Sequence, residues 1–206
     1  MTGRPAPTGA GVTARTIRLD SPATRGPGWS VVVGAVCGVA WSASLRGWMI
    51  QVAGAESAFT WLGTFGLLLA PGTALGGLLG WAVHLQRGEG LAGARRRWLL
   101  ASPVLLAAPL LDPNLFRAFV TSGLGGGALG VLLTGLTGGY AIAGSGSRLR
   151  RTVAGVAATV LILACGSIVA ADAPLTTPHG AWVALQAVSL LAVLCAACSL
   201  PYPARR

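Results

Sequence analysis

One formal charge, Arg46, stands inside six apolar stretches, 30–53, 59–85, 98–111, 118–144, 152–171 and 181–200, which together hold 132 of the 206 residues. The other 19 charged residues crowd into the remaining 74, at the density of ordinary soluble sequence, so the chain is two materials interleaved. With a mean hydropathy of +0.70 and only 10% charged residues, it cannot clothe a water-facing surface. A soluble enzyme, a secreted disulfide scaffold and a disordered protein are therefore disfavoured. Five of the stretches have the roughly 20 residues that cross a hydrocarbon core of about 30 Å as a helix. Backbone groups in lipid must be satisfied within the segment, which makes the helix the natural form of each. The expected fold is all-α, a polytopic transmembrane bundle of about six helices.

The chain has 15 arginines and no lysine, and their placement sets the orientation. If all six stretches cross, Arg4, Arg15, Arg18 and Arg25, then Arg87 and Arg95 to Arg97, then Arg148, Arg150 and Arg151, then Arg205 and Arg206 share one side. By the positive-inside rule that side is the cytoplasm, both termini included, with only Arg46 and Arg117 in or near the opposite half. The weak member is 98–111, whose 14 residues reach only about 21 Å as an α-helix and contain Pro103 and Pro109. A short, Pro-kinked crossing is expected there, because a failure to cross would strand five further arginines outside. Residues 1–28, rich in Pro, Gly, Thr and Arg, read as a disordered cytoplasmic tail, 29–200 as the six-helix membrane domain and 201–206 as a short cytoplasmic tail.

Glycine marks the expected helix contacts. Gly72, Gly76 and Gly80 recur every four residues and share a helix face, and Gly123, Gly127 and Gly130 belong to similar pairs in the fourth stretch. Gly125, Gly127 and Gly130 match the dinucleotide fingerprint only in spacing, since they lie in an apolar helix and not in a strand-to-helix turn.

No catalytic or metal constellation emerges. Cys37, Cys165, Cys195 and Cys198 all fall inside apolar stretches, where a thiol packs as a small apolar group, and His84 and His179 fall on opposite sides of the membrane. Ser145 and Ser147 lie in a cytoplasmic turn without a general base, and the five acids show no spacing that enforces a dyad. No cofactor, no metal and no catalytic residue are expected, and the chain is read as a non-enzyme. The net charge of +10 points to anionic lipid headgroups at the cytoplasmic face, not to nucleic acid, because the basic runs are short and lack interleaved aromatics.

Arg46 is the residue that demands an explanation, because a charge at that depth is costly unless paired, hydrated or snorkelled. Glu56 and Asp112 are the acids expected nearest to it, with Asp172 a third option, so Arg46, Glu56 and Asp112 form the candidate ligand-binding set. Trp48 and Trp61 flank the same boundary, and with Trp29, Trp81, Trp98 and Trp182 they read as an aromatic belt. Arg46-Gly47-Trp48-Met49, followed by Phe59-Thr60-Trp61-Leu62-Gly63-Thr64, resembles a block of uncharacterised multi-pass membrane proteins of GC-rich bacteria. The resemblance covers residues 46–64, the order of the stretches and the arginines at 95–97. It implies an integral membrane protein of a bacterial inner membrane and brings no activity, ligand or catalytic residue. The expected function is a membrane module that packs with a partner or with itself as a homo-oligomer. The alternative is a small permease component with an outward-facing polar cavity around Arg46.

Overall fold

A computed structural model of the chain describes residues 26–54, 57, 59–88, 93–114, 116–117, 126–172 and 174–203, with the side chains of 126 and 168–172 left aside. Of the tail expected over 1–28, residues 1–25 lie outside them, as do the predicted contacts of Glu56 and Gly123, while Pro27 and Gly28 open a helix. Among the described residues six α-helices follow one another: α1 (Pro27–Ala53), α2 (Ala70–Arg87), α3 (Gly93–Ala101), α4 (Gly126–Ala143), α5 (Arg148–Asp172) and α6 (Pro178–Ser199). Pro27–Ala53, Trp61–Arg87, Arg148–Ser167 and Pro178–Ser199 are long and apolar enough to cross a membrane, and Gly127–Ala143 is a shorter apolar helix. The chain is an all-α bundle of multi-pass membrane type.

Two passes depart from regular α geometry, each at a proline. A π-helix over Trp61–Leu69 leads into α2; Thr60 caps it by accepting the Gly63 N–H at 3.0 Å, and the Ala70 N–H reaches five residues back to Phe65. Pro71 accounts for the widening, since in an α-helix its ring would crowd the carbonyl four residues earlier. The second case corrects the expected Pro-kinked α-helix. After α3 the chain runs as a 3₁₀ helix over Ser102–Leu111, with Pro103 in its first turn and Pro109 inside it. The 3₁₀ form rises about 2.0 Å per residue, so 98–111 reaches about 26 Å, close to the thickness that an α-helix of that length misses.

The order of contacts fixes the topology. Gly34 meets Gly76 and Gly38 meets Gly72, so α1 and α2 are antiparallel. Trp41 reaches Leu190 and Trp48 reaches Val183, so α1 and α6 are antiparallel as well. The third pass packs along α2 back to the π-helix, and Arg151 lies beside Ala141 where α5 reverses on α4. Ser30 therefore lies by Gly80, while the Gln86 amide donates to the carbonyls of Leu200 and Tyr202, placing both ends of the described chain at the same, arginine-rich end. Pro201 is fully buried there, and Tyr202 meets Tyr140 edge-on with centroids 6.1 Å apart, so the bundle extends past residue 200 into the expected tail. Burial pushes the Tyr202 phenol above its usual range; Tyr140 and Cys198 add to this and Arg96 opposes it.

The core gathers side chains of α2, the 3₁₀ segment and α6: Leu75, Leu79, Leu106, Leu194 and Cys198 form one cluster, with Trp41 and Val131 packed against it. Helix ends are closed locally. The Arg151 guanidinium donates to Ala141 O at 2.8 and 3.1 Å and to Ile142 O at 2.9 Å, satisfying the last carbonyls of α4 and countering its dipole. Ser147 caps α5 by accepting the Arg150 N–H at 3.4 Å, a structural use for one of the serines of that turn.

Candidate functional site

The small residues of α2 meet an equally small row on α1. A methyl group built on Gly76 would collide with the carbonyl oxygen of Gly34 and lie 2.9 Å from the Gly38 Cα; one on Gly72 would strike the Ser42 hydroxyl, and one on Gly80 the Ser30 carbonyl. The α1 row Ser30, Gly34, Gly38 and Ser42 has the same four-residue spacing as Gly72, Gly76 and Gly80, so two flat faces meet backbone to backbone. Ser42 is fully buried, and its hydroxyl is satisfied by the Gly38 carbonyl at 2.9 Å. On α4 the close approach falls at Gly135, Gly138 and Gly139, which face Leu194, Cys195 and Cys198 of α6. Gly127 and Gly130, expected in a contact, have open space where a Cβ would stand, because the meeting with α6 begins a turn later. The Cys195 thiol donates to Thr134 O at 3.4 Å, so both cysteines near the end of α6 fill the space that the glycines leave.

The face of α1 toward α6 carries the polar groups. Trp41 Nε1 donates to Leu190 O at 2.9 Å, Trp48 Nε1 to Val183 O at 3.1 Å, and Gln51 Nε2 to the Gln186 side-chain oxygen at 2.8 Å. Gln186 in turn approaches Ser44 O at 3.4 Å. Positions 41, 44, 48 and 51 step by three and four, as do 183, 186 and 190, which is the spacing of a helix–helix seam. Trp48 is thus a seam residue and not part of the belt, whereas Trp61, 82% exposed, and Trp98, 79% exposed, stand on the outer surface as belt residues do.

Arg46 lies seven residues before the end of α1 and is half-buried. The chain turns at Gly54, whose φ of 53° belongs to the left-handed region that favours glycine, and Ser57 and Phe59 come back against Arg46. Arg46 Nη1 donates to the Ser57 hydroxyl at 2.8 Å, and its guanidinium carbon lies 4.5 Å from the centre of the Phe59 ring, a hydrogen bond and a cation–π contact that close over the charge. Asp112 does not join it. The Asp112 carboxylate accepts the Asn114 N–H at 2.9 Å and shapes the turn that ends the 3₁₀ pass. Glu56 and the Asp172 side chain lie outside the described parts. His84, near the end of α2, and His179, at the start of α6, stand at opposite ends of the bundle.

Ser57, Phe59, Gln51 and Gln186 are the partners that sequence reasoning missed. For the glutamines a signal existed: each is an amide inside an apolar stretch, and each sits in register with the tryptophan row. For Ser57 and Phe59 none did, because their approach to Arg46 depends on the reversal at Gly54. Two grooves open between helices, one of about 370 Å³ among α1, α2 and α6, the other of about 710 Å³ between α2 and the third pass. Neither includes Arg46 or Asp112. Set against protein-family models, curated proteins and solved structures, the chain matches none of them.

Proposed function

We propose that the protein is a non-enzymatic module of a bacterial plasma membrane that crosses it six times, has both termini in the cytoplasm and acts by packing against a partner or a second copy. The observation that carries this reading is the closure of the polar groups inside the bundle. Arg46 is engaged by Ser57 and Phe59, and the indoles and amides of the α1–α6 seam are engaged by each other and by backbone carbonyls. A permease would need a hydrated cavity at Arg46, and the two grooves described lie elsewhere, with largely apolar linings.

The outer face of α5 supports association. Leu149, Val153, Val156, Val160 and Leu163 step by four and three and are 57 to 73% exposed, a stripe with the spacing of a packing seam. Protein extracted with its surrounding lipid in polymer discs is expected to run as more than one chain, or with a second protein at fixed stoichiometry. The double variant Val156→Ala/Val160→Ala is expected to weaken that association. A lone chain in the disc would refute the packing reading. Orientation has its own check: a reporter fused after Arg206 is expected to show cytoplasmic activity, and an external signal would overturn the six-crossing topology.

A further inference from the structure

The seam between α1 and α6 closes over only part of its length. From Trp48 to Trp41 the helices are tied by indole hydrogen bonds, and beyond Trp41, toward the arginine-rich end, they part. The gap is the groove of about 370 Å³, bounded by Trp41, walled by Val33 and Cys37 of α1 and Val193 of α6, and floored by Leu75 and Leu79 of α2. Its rim faces outward, with Cys37 exposed, Val33 42% exposed and Val193 57% exposed, so it opens sideways. Arg87 and Trp29 stand at the end where α2 finishes. From Gly72 to Arg87 the floor helix rises about 22 Å, against about 15 Å for the hydrocarbon of one leaflet.

We propose that this groove holds an acyl chain of a phospholipid with an anionic headgroup, its phosphate against Arg87. The shape excludes the other occupants. A partner helix about 10 Å across would have to continue through the whole core, and the seam is shut at Trp41. A polar solute would lose its hydration to walls made largely of valine, leucine and glycine. A lipid chain enters from one leaflet, lies along apolar walls and ends near mid-membrane, where the groove ends, while the cation at the mouth selects an anionic phosphate.

The test is retention of lipid by the full-length chain released from micelles containing equal amounts of phosphatidylglycerol and phosphatidylcholine, read by native mass spectrometry. Wild type is expected to keep one phosphatidylglycerol in preference to phosphatidylcholine. Arg87→Gln is expected to lower that preference about fivefold, whereas Arg97→Gln, on the exposed surface of α3, leaves it unchanged. Cys37→Trp fills the groove from α1 and Val193→Trp from α6, and either is expected to abolish retention of both lipids. Equal retention of the two lipids by wild type would overturn the proposal. So would a tryptophan variant that melts like wild type and keeps phosphatidylglycerol.

Discussion

Gly76→Ala is expected to destabilise the bundle strongly, and Gly130→Ala to leave it unchanged or slightly more stable. The added methyl is the same; the surroundings differ. At Gly76 it meets the Gly34 carbonyl and the Gly38 backbone, atoms that cannot swing aside as a side-chain end would, so α1 and α2 must separate along their whole small-residue face. Overpacking of this kind costs about 1–3 kcal/mol, with the upper end expected where backbone meets backbone. At Gly130 nothing lies within 4 Å of the new methyl, and the higher helix propensity of alanine adds up to about 1 kcal/mol of stability. Unfolding of the two variants in the same detergent, followed by helical circular dichroism against added denaturing detergent, separates them. Shifts of equal size and sign would mean that the α1–α2 face is looser than described.

Trp41→Ala is expected to be the second large loss. The indole is half-buried against the core cluster and ties α1 to α6 through Leu190 O, so truncation removes both apolar contact and a hydrogen bond. A cost of about 3 kcal/mol, the low end for truncating a large aromatic, follows from its partial exposure. Trp41→Phe keeps most of the ring and loses only the donor, for about 1 kcal/mol, the scale of a hydrogen bond between helices in a membrane. Thermal melts of the two variants in one detergent give the comparison. If phenylalanine costs as much as alanine, the hydrogen bond dominates and the ring contributes little.

The membrane class and the positions of the long apolar helices were legible because charge in such a chain can sit only where water is. Pro27–Ala53 and Pro178–Ser199 begin three residues ahead of the apolar stretches read at 30 and 181, as helices do when their first turn stands in the headgroup region. The third stretch was legible as a short helix with two prolines; its 3₁₀ form, which lengthens it, was not read from them. Gly72, Gly76 and Gly80 were visible by their spacing; the matching row at 30, 34, 38 and 42 was hidden because serine stands at both of its ends and only two glycines lie between. At Arg46 the need for a partner was legible; Ser57 and Phe59 were not foreseen, Asp112 serves its own turn, and Glu56 lies outside the described residues. Electrostatics alone favours a carboxylate, and the backbone reversal at Gly54 delivers a hydroxyl and an aromatic ring.

Trp41, Trp48 and Gln51 lie on α1, and the groups that receive their hydrogens lie on α6. During synthesis α1 and α2 can pair as soon as both have emerged, since their contact asks only for glycine faces. The three donors of α1 then remain in the membrane without their acceptors until residues 183 to 190 have been made. α6 is therefore the helix that completes α1, and a chain cut short of it would carry two indoles and an amide into lipid with their seam partners missing.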